Sequence, residues 1–170
     1  MPPSTASPNP GRDTAMITPL DPRDPETAAR LHRLQQASYA VEQALLGVED
    51  FFPLRLTADD IAREPDTFLG WWEGEQLAGA VSFVERDTLV DIGRMIVDPE
   101  FFRRGIAARL LEAVEARTAP GMRLTVSTGE KNHPAVRLYE TRGYSRTART
   151  VLPDGLVLVR FHKTLPGGPA

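Results

Sequence analysis

"RMIVDPEFFRRGIAARLLEAVE", residues 94–115, decides the fold. It runs strand-type apolar residues into a Pro turn, passes through Arg103, Arg104 and Gly105, and enters an amphipathic helix with Ile106, Leu110, Leu111 and Val114 on one face. A plain strand-to-helix connection needs only a turn and a cap. This one sets two guanidinium groups and a glycine at a helix start, where about four unpaired N–H donors and about half a unit of positive charge already converge. Gly105 permits close backbone approach, and Ala107 and Ala108 keep side chains out of the way. The combination suits a phosphate or pyrophosphate. The same residues also read as a glycine-tolerant helix start with two solvated arginines. No G-K-[ST] follows, so the turn is not a Walker P-loop, and a single glycine is no dinucleotide fingerprint.

Outward from this stretch the chain alternates strands and helices. "AMITPL" (15–20) predicts a first strand, and Asp24-Pro25 supplies a cap and a first-turn Pro for a helix carrying Ala28, Leu31, Leu34, Ala37 and Ser38 as a stripe. "VEQALLGVEDFFPL" contains Gly47 and Pro53, and is expected to be a loop with a broken helix. Thr57 can cap a short helix, "ADDIARE", that Pro65 ends. "TFLGWW" and "QLAGAVSFVE" predict two strands joined by the turn "EGEQ", with a further strand over 88–97. After the helix over 105–117 come a strand, "MRLTVST" (122–128), a helix over 133–142 stopped by Gly143, and a hairpin, "YSRTARTVL" and "LVLVRFHKT", around "PDG". The order β-α-α-β-β-β-α-β-α-β-β predicts one α/β domain over 14–165 with a mixed, largely antiparallel sheet. Residues 1–13, rich in Pro, Ser and Thr, are expected to be a disordered tail, and 166–170 a flexible end.

Composition narrows the function. The 170 residues carry 20 Lys and Arg against 23 Asp and Glu, a net charge of −3 that gives no general attraction to nucleic acid or an anionic membrane. With no cysteine there are no disulfides, thiol nucleophiles or thiolate metal sites. His32, His133 and His162 have no ligand spacing, so no metal is expected. No apolar run approaches the roughly 18 residues of a membrane span, and the N-terminus lacks a signal-peptide plan, so a cytoplasmic protein is expected.

A second stretch, "LTVSTGEKNHPAVRLYETRGY" (124–144), sets a strand, an Asn before a helix, then Leu-Tyr and Arg-Gly-Tyr. Here the chain resembles the GNAT superfamily of acyl-CoA-dependent N-acetyltransferases. "MIVDPEFFRRGIAARLL" looks like the family's pyrophosphate-binding segment, Q/R-x-x-G-x-G/A, and "NHPAVRLYETRGY" like its N-x-x-A-x-x-L-Y-E-x-x-G-F/Y segment. The two stand in order, one helix and one strand apart, and the resemblance covers residues 15–164. Phe102 departs from the motif's Q/R position, while Gly105 and Ala107 match.

The resemblance implies a seven-stranded sheet flanked by about four helices, with the central parallel strands, 88–97 and 122–128, splayed apart. Met95, Ile96 and Val97 are then expected to hold the pantetheine arm of acetyl-CoA, with the amides of Met95 and Val97 polarising the thioester carbonyl. Its pyrophosphate is expected on the amides of Arg103, Arg104, Gly105, Ile106, Ala107 and Ala108. Asn132 takes the family's Asn position near the arm; it is equally a plain helix cap. Tyr139 is the expected general acid, because a phenol of reference pKa about 10 can protonate a thiolate near 8.5; it also reads as a buried aromatic.

The general base is less determined. A strand position often used in the family falls on Gly93, which has no side chain, so Asp91, on the same strand face, leads, with Glu85 and Glu42 in reserve. Any of the three also reads as an exposed carboxylate without a role. Tyr39, Glu42 and Phe52, with Glu49, Asp50 and Phe51, are expected to line a wall that suits a cationic amine, or else a solvated face. Trp71 and Trp72 point to opposite faces, one to the core and one beside a cleft. The expected reaction is acetyl transfer to the primary amine of a small molecule, since the 47–57 segment is long enough to cover a cleft. Protein N-termini or lysines are an alternative acceptor, and a non-catalytic acyl-CoA-binding regulatory module is another, favoured by Gly93 and Phe102. Family members are often dimers, so a homodimer stays open.

Overall fold

The computed structural model describes residues 15–167; the tail expected over 1–13 lies outside them, as do residues 168–170 of the flexible end expected over 166–170. Seven strands form one sheet: β1 (Ala15–Leu20), β2 (Thr67–Glu73), β3 (Gln76–Glu85), β4 (Leu89–Val97), β5 (Arg123–Gly129), β6 (Ser145–Val151) and β7 (Val157–Thr164). Their spatial order is β1-β2-β3-β4-β5-β7-β6, and the central β4–β5 pair alone is parallel. That pairing is short: Leu89 to Ile92 of β4 face Arg123 to Val126 of β5, after which the strands part. β5 stays paired to β7 along its whole length, so its far end diverges with β7 and leaves β4 with a bare edge.

Four helices cover the sheet: α1 (Pro25–Leu46), α2 (Ala58–Ala62), α3 (Ile106–Arg117) and α4 (His133–Thr141). Two cores result, one on each face. On one, Ile106, Leu110, Leu111 and Val114 of α3 and Val136 and Tyr139 of α4 pack with Leu69, Val81, Val90 and Ile92. On the other, Leu31, Leu34 and Tyr39 of α1 and Ile61 of α2 pack with Phe68, Leu77, Ala80 and Ile96. The sheet pleat dictates this split, because neighbours such as Phe68 and Leu69 must face opposite ways. α3 lies close on the sheet at Gly79, where a Cβ would stand 2.8 Å from Ile106 Cγ2.

One expectation is corrected. α1 does not break after Ser38; it runs unbroken to Leu46. Gly47 ends it from outside, in a left-handed cap at φ 66° whose N–H reaches the carbonyls of Gln43 (3.0 Å) and Ala44 (3.3 Å). The glycine is a stop signal one residue past the helix and does not interrupt it. Residues beyond Gly47 fold back as a 3₁₀ turn over Phe52–Arg55, held by Gln36 donating to the Leu54 carbonyl at 2.9 Å. α2 begins as expected at Thr57, in a capping box with Asp60.

Candidate active site

Where β4 ends, Asp98 bonds the Glu100 N–H (2.9 Å) and the chain makes one 3₁₀ turn over Pro99–Phe101 before α3. Arg103 then adopts φ 64°, a left-handed conformation among non-glycine residues that costs strain, and Gly105 adopts φ 75° as the N-cap of α3. No side chain caps α3, so its first-turn amides keep their hydrogen-bonding capacity for a ligand. Nothing lies within 4 Å of where a Gly105 Cβ would be, so the ground above the turn is open. Ile106 is buried in the core and fixes the helix start, while Arg103, Arg104 and Gly105 are exposed. Arg104 stacks over Phe101 with its guanidinium carbon 4.9 Å from the ring centroid, which holds it beside the turn. Phe102 is exposed and contributes no polar atom from its side chain. An uncapped helix start, an unobstructed glycine and two guanidinium groups fit a pyrophosphate.

The bare edge of β4 runs into this turn. The Asp98 N–H bonds the Ala78 carbonyl on β3, so strand alternation turns the N–H groups of Met95 and Val97 the other way, into the gap. The Val97 N–H there donates to Ser38 Oγ of α1 at 3.3 Å. Ile96 points into the α1-side core and can offer only its backbone. The helical second half of α1 therefore lies across the gap. Leu46 covers Gly129 at the end of β5 so closely that a Cβ there would collide with Leu46 Cδ2.

Across this opening, side chains from opposite faces of the sheet meet. Tyr139 comes from α4 and is buried, its ring against Tyr144 (5.7 Å between centroids) and Phe161 (5.6 Å). Burial pushes the pKa of its phenol up, and the charges of Glu42 and Tyr39 from α1 push it further. The phenol therefore stays protonated and can donate a hydrogen bond into the gap. Asn132 accepts the Ala135 N–H on its Oδ1 at 3.3 Å to cap α4, and its side chain is a neighbour of Glu42. Burial pushes the Glu42 carboxyl up, and the neighbouring Asn132 amide only partly offsets this. Tyr39 is pushed up to about 12 by burial, against the opposing charge of Arg94.

Other expected residues fall elsewhere. Asp91 sits where β4 and β5 are still paired, and its carboxylate accepts the Thr125 hydroxyl at 2.8 Å. Glu85 ends β3 opposite Val90, at the closed end of the strand pair, and is exposed. Phe52 is 61% exposed with Arg55 over its ring, and stands apart from the Tyr39 cluster; the 3₁₀ turn that starts there carries it outward. Its neighbour Phe51 packs edge-on against Tyr39 at 5.8 Å instead. Trp71 is core, and Trp72 is half-buried, its indole N–H on Thr18 Oγ1 (2.9 Å), in a shallow depression with Met16 and Arg30 that lies away from the gap.

Sequence reading missed the ion pair of Arg94 and Glu64, 3.0 Å apart, with Arg94 buried over the Phe68 ring. It also missed the β-bulge that allows it. Ser82 faces Arg94 but Phe83 faces Ile92, leaving Gly93 as an extra residue, so Arg94 turns to the α1 and α2 face although Ile92 points to the α3 face. A lone glycine within a strand pattern was the available signal. Among the described residues no helix is long and apolar enough to cross a membrane, and no three acidic or His side chains group as metal ligands.

Comparison with known proteins bears on this geometry. The sequence pattern of the acetyltransferase (GNAT) family matches residues 28–144. UPF0157 protein YqkA of Bacillus subtilis is 29% identical over 147 residues, which cover 86% of this chain and 43% of that protein. The uncharacterized N-acetyltransferase YsnE of the same organism is 35% identical over 83 residues, 46% of this chain and 55% of that one. The chain thus spans about half the length of the curated relatives it matches. Among solved structures, the ribosomal-protein-S18-alanine N-acetyltransferase of Escherichia coli superposes with a TM-score of 0.70 at 17% identity, over 92% of this chain and 97% of that one. The PaiA N-acetyltransferase of Thermoplasma acidophilum, solved with coenzyme A, gives 0.67 at 14% identity, over 87% and 98%. These likenesses support the fold, and the match over 28–144 supplies the family: the chain belongs to the GNAT family of acyl-CoA N-acetyltransferases.

Proposed function

We propose that this chain transfers the acetyl group of acetyl-CoA to the primary amine of a small molecule. The observation that carries this reading is the parting of β4 from β5, with an uncapped helix start at one end and a buried phenol in the gap. The thioester supplies an activated acyl group, and the protein's task is to hold it and manage protons. The first-turn amides of α3, with Arg103 and Arg104, would hold the pyrophosphate. The N–H groups of Met95 and Val97 would hold the arm and polarise the carbonyl, Val97 exchanging its Ser38 partner for the ligand. Asn132 caps α4, which carries Tyr139, so that a neutral phenol would be presented to the sulfur.

The acceptor side supports a small cationic amine. α1 crosses the gap, with Ser38 on the Val97 N–H and Leu46 over Gly129, and this cover favours a compact acceptor over an extended peptide. Tyr39, with Phe51 on its edge, and Glu42 offer aromatic and acidic contacts to an alkylammonium group. The test combines a thermal shift with turnover. Acetyl-CoA at about 100 times its dissociation constant should add roughly 2.7 kcal/mol, or on the order of 5–10 °C for a domain of this size. Thiol release is then followed with ethanolamine, putrescine, phenethylamine and short peptides carrying a free N-terminus or lysine. No shift with acetyl-CoA removes the acyl-donor site. A shift with no turnover replaces the enzyme with a binding module, and turnover of peptides alone replaces the small molecule.

A further inference from the structure

An alkylammonium acceptor must shed a proton before its nitrogen can attack, and the carboxylates near the mouth of the gap are not equally free to take it. Asp91 is engaged by the Thr125 hydroxyl, behind the point where the strands part. Glu64 is committed to Arg94. Glu42 neighbours Asn132 and the Tyr139 phenol, and burial pushes its carboxyl up towards the neutral form. Asp66, in the short connection between α2 and β2, differs from all three. Among the described residues its carboxylate has no ion-pair or side-chain hydrogen-bond partner, and it is half-buried. Its Oδ2 stands 3.1 Å from the point where a Cβ on Gly93 would be, and Ser82 Oγ stands 3.2 Å from that same point.

Three features make this spot more than a gap between side chains. Gly93 is the bulged residue of β4, the first beyond its pairing with β5, and is exposed, so the spot opens on the mouth of the splay. Ser82 is fully buried, and its hydroxyl has no hydrogen-bond partner, although it is aimed at the notch beside Gly93. Such an orphaned hydroxyl costs stability unless something uses it. Two oxygens thus border the same small space, which is clear because the strand has no side chain of its own there.

We infer that Asp66 takes the proton of the acceptor amine at this notch over Gly93, with Ser82 behind it as the second oxygen of the seat. This rests on the acetyltransferase reading above. The ammonium gives one proton to the Asp66 carboxylate, which later releases it to solvent. The free nitrogen lone pair then forms the N–C bond while the C–S bond breaks and its electron pair leaves on sulfur. The second nitrogen proton, lost as the amide forms, balances the one that sulfur takes up through Tyr139.

The test uses the full chain with phenethylamine, or whichever amine of the panel turns over fastest, as acceptor. Asp66→Asn should lower kcat/KM for the amine by about 10²–10³-fold near pH 7. The deficit should shrink towards wild type as the pH nears the amine's own pKa, where free amine no longer needs a base. The acetyl-CoA thermal shift should be unchanged. Gly93→Ala, which leaves the Asp66 charge in place but fills the notch, should raise KM for the amine by at least about tenfold, on the scale of one lost hydrogen bond to a charged group. A deficit in Asp66→Asn that stays constant across pH marks a structural role and overturns the inference, as does wild-type turnover with an intact acetyl-CoA shift. If wild-type protein shows neither shift nor turnover, the acetyltransferase site itself falls and takes this inference with it.

Discussion

Gly105 allows the anion-binding reading of the α3 turn to be tested quantitatively. Its φ of 75° is left-handed, and no heavy atom lies within 4 Å of its missing Cβ. Gly105→Ala therefore meets no steric wall, and its cost is conformational alone. Holding an L-residue left-handed costs about 1–2 kcal/mol, and the stiffer unfolded chain returns about 0.4–1 kcal/mol, leaving roughly 1 kcal/mol. For a domain of this size that is a fall in Tm of about 2–4 °C. Gly105→Asn should lose less, since Asn tolerates this region better. Binding is a separate readout. If the alanine relaxes out of the left-handed well, the next amide turns away from the pyrophosphate. One hydrogen bond to a charged acceptor, about 1.5–3 kcal/mol, is then lost, a roughly 10- to 100-fold rise in the dissociation constant. Calorimetric titration with acetyl-CoA measures it, and acetyl-pantetheine, which lacks the pyrophosphate, is the control. Weakening confined to acetyl-CoA is the expected result. Equal weakening of both ligands, or none with acetyl-CoA in Gly105→Glu, would refute the anion site at this turn.

Further outcomes follow from the wall of the gap. Glu64→Gln strands the buried Arg94 guanidinium without its counter-charge and should cost about 3 kcal/mol, a Tm loss of roughly 6–12 °C read by calorimetry; a loss below about 2 °C would mean the pair is solvated. Glu42 carries a raised pKa, so the folded state holds its proton to higher pH than the unfolded chain does, and ionised Glu42 costs stability once the pH passes its folded value. Glu42→Gln should accordingly be more stable than wild type at pH 7, with the gain closing below about pH 4, where both states are protonated; a pH-independent difference in urea titrations would contradict this. Tyr139→Phe keeps the ring contacts with Tyr144 and Phe161, so Tm should move little while kcat falls by about 10²-fold or more at unchanged KM for acetyl-CoA; a kcat within about threefold of wild type would remove the phenol from the chemistry.

Much of the fold was legible because its signals are local. Alternating strands, two tight hairpins and the Asp, Thr and Asn caps of α1, α2 and α4 each lie within a few residues of sequence. The two glycine-bearing motifs carried the family. α1 was cut short because a glycine and a proline near one another look like a break, whereas Gly47 is the left-handed cap of a helix that continues right up to it. That misreading matters for the site. On a helix, Ser38 and Leu46 share the surface that lies over the gap, and Tyr39 and Glu42 are held beside it; on a loop none of them would have a fixed direction. The meeting of Glu42 with Asn132, about ninety residues later, is a tertiary event that no sequence window contains.

The bulge at Gly93 is the feature on which the acceptor side turns, and its consequence is one of parity. Strict alternation from Val90 and Ile92 would place Arg94 on their face, among Leu110, Leu111 and Val114, where a guanidinium has no counter-charge. The extra residue moves Arg94 to the other face, where Glu64 meets it, and moves Ile96 into the α1 core in the same step. It also sends the Met95 and Val97 amides towards the bare edge, in phase with the turn that leads to Gly105. A residue with a side chain at 93 would retain that parity but crowd Asp66 and Ser82, each just over 3 Å from its Cβ. The bulge therefore sets the register that builds the wall, and glycine within it keeps clear the ground between a free carboxylate and an unpartnered hydroxyl.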